Sequence, residues 1–424
     1  MNRSAPWAAL GLAAGLALSL PAQAGPLQDM INAAPEGSTI SPPAGVYKEH
    51  IIINRRIELD GGGGVIIDGG GTGTVVEVTS DRTILRGLTI RNSGRLHNAL
   101  DAGLRLKSDF NVVKDIRLEN TLFGLDLHQA DNNIIRRVHI SSKDMPLELR
   151  GDSIRLWYSH DNKLEDNEVH DARDFVIWYS HGNTVTGNKV RGGRYGLHFM
   201  YANDNHMTGN EIADCVVGVF LMYSNDITVE GNRFLRSWGA SGMGIGFKES
   251  SGVKILRNDI LGNAVGIFLD ISPYDPDAVN TFEGNKIAYN GIGVEFHTDW
   301  EGNIFAANSF DANFTQIAVR GGGTALRETW EGNYWDDFAG FDEDGNGTGD
   351  SPYEIYSYAD RIWMEVRDAN FFRGGFALEA LDFVERLAPF SEPRLLLREK
   401  NPLSTMPEAR LAAAPKSALE MLQQ

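Results

Sequence analysis

A 22-residue echo in the middle of the chain limits its folding options more than any other feature. Gly196-Leu-His-Phe-Met-Tyr201 returns as Gly218-Val-Phe-Leu-Met-Tyr223, and Met207-Thr-Gly-Asn210 returns as Val229-Glu-Gly-Asn232. The echo belongs to a longer array with two arms per unit. One arm reads apolar-x-x-Asn-x-apolar and sets Asn167, Asn188, Asn210, Asn232, Asn258, Asn285, Asn308 and Asn333 at intervals of 21 to 27 residues. Upstream, Leu88, Ile116 and Val138 hold the Asn slot. The other arm is a short alternating strand, such as Leu197-x-Phe199, Val219-x-Leu221 and Ile245-x-Phe247. Period-two apolar residues punctuated by Asn and Gly mark short strands and tight turns. Helical repeats fail on both period and composition, because Gly and Asn recur where helices favour Ala or Leu. The leucine spacing of leucine-rich repeats is also absent. The pattern predicts an all-β solenoid: a right-handed parallel β-helix of about eleven or more coils, with stacked Asn amides bonding along its length. Coils about 4.8 Å apart make a rod about 50 Å long. Leu27, Met30 and Ile31 lie at helical spacing and read as a short N-terminal cap that blunts one open end.

The array predicts the domain plan. Residues 1–24 read as a signal peptide: Arg3, an apolar run from Ala8 to Leu20, then Ala22-Gln23-Ala24. That run is short for a membrane span. Residues 25–365 form the β-helix, and 366–424 a helical and partly disordered C-terminal tail. Within it Leu381, Val384 and Leu387 mark a helix before Pro389, Pro393, Pro402 and Pro407. That helix can cap the rod, dock on a partner, or both. The lone Cys215 excludes an intramolecular disulfide, and it occupies the slot that Asn263 holds two coils later, as expected of a buried structural thiol. A net charge of -18 argues against a general nucleic-acid binder and suits a protein that meets cations or a basic partner.

If Leu197 and Phe199 face the core, His198 and Met200 face outward. The same alternation places Trp157, Trp178, Met200 and Met222 in one outward column, with Phe220 beside it and Tyr158, Tyr179, Tyr201 and Tyr223 flanking it. Three readings stay open for this apolar ladder: cover by a loop, a partner surface built on Trp157, Trp178 and Phe220, or a soft-metal site. Thioethers and imidazole suit Cu(I), which makes His198, Met200 and Met222 the candidate copper ligands. His160 and His181 read as turn-ladder residues. Asp342, Asp344, Asn346 and Asp350 match the opening of a calcium loop, although Tyr353 stands where a closing Glu belongs. The carboxylates Asp126, Asp270 and Glu295 lie coils apart, so no catalytic pair is expected.

Ala44-Gly-Val-Tyr47, the Asn ladder and Trp330-Glu-Gly-Asn-Tyr-Trp-Asp-Asp-Phe338 leading to Gly349-Asp-Ser-Pro-Tyr353 carry a family resemblance. The chain resembles NosD, the periplasmic β-helical accessory proteins of nitrous oxide reductase maturation. The resemblance implies a non-enzymatic periplasmic component of an ABC transporter complex that helps deliver copper, with sulfur supply as a further role, to the reductase's copper centres. The implied partners are the permease and its ATPase, a copper-chaperone lipoprotein and the apo-reductase. Membrane association would come only through them, with the tail from about 366 onward docking on the permease. The alternative is a carbohydrate-binding or polysaccharide-modifying β-helix that uses the Trp157/Trp178 face.

Overall fold

The computed structural model describes residues 25–388 and 392–407, so the expected signal segment lies outside the described residues. The described chain is a parallel β-solenoid of about 13 turns, slightly more than the sequence count. One strand from each coil, Ile51–Ile53 through Thr315–Val319, joins a 12-stranded parallel sheet, and the remaining arms form a 22-stranded sheet. The echo is an in-register pair: Leu197 lies opposite Val219, Phe199 opposite Leu221 and Met200 opposite Met222. Leu197, Phe199, Val219, Leu221 and Met207 are all buried. The glycine that opens each motif is also explained. A Cβ at Gly218 would lie 2.4 Å from the Gly244 carbonyl oxygen of the next coil, which leaves no room for any other residue.

The Asn ladder is continuous and directional. The Asn188 N–H and Nδ2 donate to Asn210 Oδ1 at 2.8 and 2.9 Å, and Asn210 donates in the same way to Asn232 at 2.8 and 2.8 Å. It runs on through Asn258, Asn285 and Asn308 to Asn333. Each ladder residue's backbone N–H donates to the Asn of the next coil, so the last N–H needs an acceptor. Glu399 supplies it, accepting from the Asn333 N–H at 2.7 Å and from Trp335 Nε1 at 2.6 Å. A second ladder, Asn280 to Asn303, ends on Glu328, and a third, Asn263 to Asn290 to Asn313, ends through Gln316 on Asp336. Carboxylates close all three, which suits the positive end of a stack of aligned amides.

The termini close the rod. Helix Pro26–Ala33 buries Leu27 and Ile31 as expected, and its first N–H groups are met by the Glu49 carboxylate at 3.0 Å. At the other end Trp335 stacks between Phe310 and Tyr353, with ring centroids 4.1 and 4.5 Å apart, so the Gly-Asn-Tyr-Trp motif is an aromatic plug. The C-terminal segment is helical over Phe376–Leu387 and then does something the sequence reading missed. Arg394–Glu399 returns as a strand, antiparallel to Tyr353–Ser357, and carries Glu399 to the ladder's end. The expected boundary at 365 thus falls between two paired strands. Cys215 is buried as expected, and burial pushes its thiol up to about 11.

Candidate functional site

The outer face of the 12-stranded sheet is covered at both ends and half-open between. Toward the N-terminus, Arg105 donates to the Leu100 carbonyl in the overlying loop and to Asp126 at 2.8 Å, while Arg155 reaches Asp126 from the next coil at 2.9 Å. Asp126 is completely buried by this clamp. Toward the C-terminus, Trp363, Met364 and Leu396 pack over Ile292 and Ala318. Asp270 pairs with Lys248 and Glu295 with Arg320, so each of the three scattered carboxylates already has its own cation.

Between the covers lie the two columns expected from the alternation. Arg155, Val176, His198 and Phe220 are register neighbours, as are Trp157, Trp178, Met200 and Met222, followed by Lys248. In-register parallel strands hold Met200 and Met222 about 4.8 Å apart at the backbone, and His198 lies two residues from Met200 on the same side. Both methionines are half-buried. His198 departs from the expectation of an open surface: it points away from the coil interior but is only 7 % exposed, because the Tyr195 ring, 4.7 Å away, and Phe220 lie against it. Its Nε2 is buried without a hydrogen-bond partner, as is Trp178 Nε1. Desolvation lowers the His198 pKa to about 4, so the ring is neutral near neutral pH. Two thioethers and a neutral imidazole thus lie on one face, and these are the donor types that suit Cu(I).

Trp157 and Trp178 meet edge to face at 5.6 Å, and the Arg155 guanidinium lies 4.9 Å over Trp157. They are half-buried and packed on each other, not spread as a flat platform. The tyrosine column stacks face to face at 4.9, 5.1 and 4.9 Å. His160 and His181 stack as well, and each Nδ1 accepts a backbone N–H from the following coil, at 3.1 and 2.9 Å. That is the bonding of a turn ladder.

In the acidic loop, carboxylate oxygens of Asp342, Asp344 and Asp350 lie within 4.8 Å of one another. Asn346 faces the loop's own turn: its N–H donates to Asp342 and Asp344 at 3.0 Å, its side-chain amide donates to Asp344, and its carbonyl accepts from Thr348. Partial desolvation pushes the Asp342 carboxyl up, but the N–H groups of Gly347 and Gly345 and the Ser404 hydroxyl outweigh it and hold it below its ordinary value. The structure therefore brings together three of the four residues expected to bind calcium.

The tail helix sits with its polar side inward. Glu385 is buried against Arg361, and Asp382 pairs with Arg386 and accepts the Asp360 N–H. Leu381 is half-buried, whereas Val384 and Leu387 are exposed, together with Phe371, Phe372, Phe376 and Phe383. Phe376 belongs to the helix expected from the sequence, whereas Phe371, Phe372 and Phe383 were missed. The signal was four phenylalanines within the thirteen residues 371–383.

Three comparisons bear on this geometry. Residues 136–340 match the family model described as "Periplasmic copper-binding protein (NosD)". The chain is 33 % identical, over 96 % of its own length and 97 % of the relative's, to a protein of Pseudomonas aeruginosa named "Probable ABC transporter binding protein NosD". A like-named protein of Stutzerimonas stutzeri is 27 % identical over 31 % of this chain and 30 % of that one. Among solved structures, the Azotobacter vinelandii mannuronan C-5 epimerase AlgE6 A-module matches 73 % of this chain and 93 % of its own, with a TM-score of 0.59 at 19 % identity. The catalytic unit of an α-1,3-glucanase from Streptomyces thermodiastaticus matches 73 % and 65 %, with a TM-score of 0.57 at 14 % identity. At such identities these two establish the β-helix alone. The chain belongs to the NosD family, described as periplasmic copper-binding proteins.

Proposed function

We infer that this protein is a non-enzymatic periplasmic scaffold that receives copper and helps deliver it for assembly of the copper centres of nitrous oxide reductase. Copper is its cargo. The observation that carries the reading is the set of soft donors on the half-open stretch of the outer face, where neutral His198, with its Nε2 unpartnered, shares a strand and a side with Met200, and Met222 is in register with Met200 one coil on. Leaving a buried polar atom unpaired costs about 1–3 kcal/mol. A bound soft metal would give Nε2 a partner. Three donors leave room for a fourth from a copper-chaperone lipoprotein or from the apo-reductase, which favours transfer over storage. Sulfur supply would be a further role of the same assembly. The acidic loop is a candidate calcium site through Asp342, Asp344 and Asp350, with a structural role far from the donor set.

The exposed apolar side of helix Phe376–Leu387, with Val384 and Leu387, is the surface on which an ABC transporter permease, coupled to its ATPase, would dock. Trp157, Trp178 and Phe220 rim the donor set and would touch the copper-carrying partner. The polysaccharide reading draws less support, since the two tryptophans pack edge to face beneath Arg155 and offer no flat ring face. The test is genetic. Deleting this chain in a strain that makes the reductase should yield enzyme deficient in copper. A reductase with full copper content from that strain would overturn the proposal. Docking is tested separately by Val384→Asp with Leu387→Asp, which should abolish co-purification with the permease. These changes leave the Glu399 cap intact, as truncation at 366 would not.

A further inference from the structure

A cavity of about 370 Å³ opens between the last coils and the C-terminal segment, apart from the copper donor set and lined in part by the helix Phe376–Leu387 whose exposed side is assigned above to docking. That volume is near the lower end for small-ligand sites and suits one side chain, not a helix. Its aromatic walls include Phe314, Tyr356, Tyr358 and Trp363. Its carboxylates are Asp337, Glu354, Asp360, Glu379 and Asp382, against Arg386 as the one cationic residue among those lining it. Arg386 shows the chemistry this lining accepts. Its guanidinium lies 5.3 Å over the Tyr358 ring while Nε bonds Asp382 at 2.6 Å. A cation over an aromatic face and beside a carboxylate gains from both.

Among the described residues none of the other acids has an ion-pair partner within the lining. Glu354 is met by Arg398 from outside the lining, and Asp337 accepts the Tyr353 hydroxyl at 2.7 Å. Asp360 accepts the Ser357 hydroxyl and the Tyr358 N–H, at 2.9 and 2.8 Å, and burial together with nearby Asp382 holds its carboxyl above the usual range. Glu379, half-buried, has no ion pair among the described residues. Asp337, Asp360 and Glu379 have no ion pair among the described residues, and like carboxylates that line one cavity repel, so an entering cation is favoured. The same helix that supplies Glu379 and Asp382 presents Phe376, 89 % exposed, and Phe383, 62 % exposed. An acidic, aromatic socket beside bare phenylalanines fits a protein surface that offers a basic side chain from an apolar setting.

We propose that this cavity is a socket for a lysine or arginine side chain of a protein partner, with the exposed phenylalanines of the same helix gripping the apolar residues around it. The socket is independent of the copper donor set, so either proposal can fail alone. The probe is a twelve-residue peptide alternating Arg with Leu and Phe, titrated calorimetrically into the full chain at low salt. A twin peptide carries neutral citrulline in place of Arg, and arginine amide serves as the free cation. The Arg peptide is expected to bind at least about tenfold more tightly than either control. Glu379→Lys should weaken it about tenfold, while Glu36→Lys, which changes the net charge equally at the far end of the rod, should not. Equal binding of the citrulline peptide, or equal loss from both lysine variants, would overturn the proposal. So would arginine amide binding as tightly as the peptide, because the occupant would then be a small cation.

Discussion

Replacing Asn210 tests whether the Asn ladder is directional and not merely polar. Its Nδ2 donates to Val185 O at 2.9 Å, to Thr208 O at 3.2 Å and to Asn232 Oδ1 at 2.8 Å, while its Oδ1 accepts from the Asn188 N–H and Nδ2 at 2.8 and 2.9 Å. Asn210→Ala removes all five bonds and leaves the buried Asn188 N–H without its acceptor. An orphaned N–H costs about 1–3 kcal/mol, and with the other lost bonds a total near 3 kcal/mol is expected. Asn210→Asp keeps the shape and both accepted bonds, but aims a carboxylate oxygen at three acceptors. It should cost at least about 1 kcal/mol more than Ala at pH 8, and recover toward Ala at pH 5 as the buried carboxyl protonates. Because each coil touches only its neighbours, the damage should centre on the flanking coils. Native-state hydrogen exchange of residues 183–234, read beside urea unfolding, measures it. If Asp proves as stable as Asn, or milder than Ala at pH 8, the ladder's polarity is misassigned.

Two further outcomes follow from buried groups. Burial holds Glu399 and Glu328 up at about 7, against 4.5 for a free glutamate, so their stabilising contribution is full below 4.5 and is lost as pH rises through about 7. Exchange protection of strand Arg394–Glu399 should therefore fall as pH rises from about 4.5 to about 7, by up to about 3 kcal/mol per group, and Glu399→Gln should flatten the profile. An unchanged profile in Glu399→Gln would assign the pH response elsewhere. Cys215, its thiol raised to about 11 by burial, should resist a thiol reagent at pH 8 in the folded protein and react fully in urea. Rapid native labelling would contradict the buried slot.

The solenoid was legible because each coil repeats one packing demand. Leu197 and Val219 must both face inward, and Asn210 and Asn232 must both bond along the axis, so the pattern is written many times over. The outward columns were legible for the same reason: alternation fixes them once the inward pair is known. What surrounds His198 was not legible. Its burial comes from Tyr195, whose ring folds back over its own strand, and from Phe220 one coil on; side-chain direction of that kind has no period. The sequence left open whether the tail helix caps the rod or docks on a partner, because a stripe such as Leu381, Val384 and Leu387 serves either; its inward side is instead polar, with Asp382 and Glu385 in ion pairs with Arg386 and Arg361. The strand carrying Glu399 was hidden because its partner is Tyr353–Ser357 across a long insertion, a non-local pairing with no repeat to announce it.

Cu(I) titration of the full chain, followed by X-ray absorption at the copper edge, tests the central claim most directly. The wild-type spectrum should contain both sulfur and nitrogen scatterers. Met200→Leu with Met222→Leu, which preserves bulk while removing the soft donors, should abolish the sulfur shell and weaken binding, with the fold unchanged by circular dichroism. A double variant that binds Cu(I) as tightly and with the same sulfur shell would show that copper is held elsewhere on the molecule.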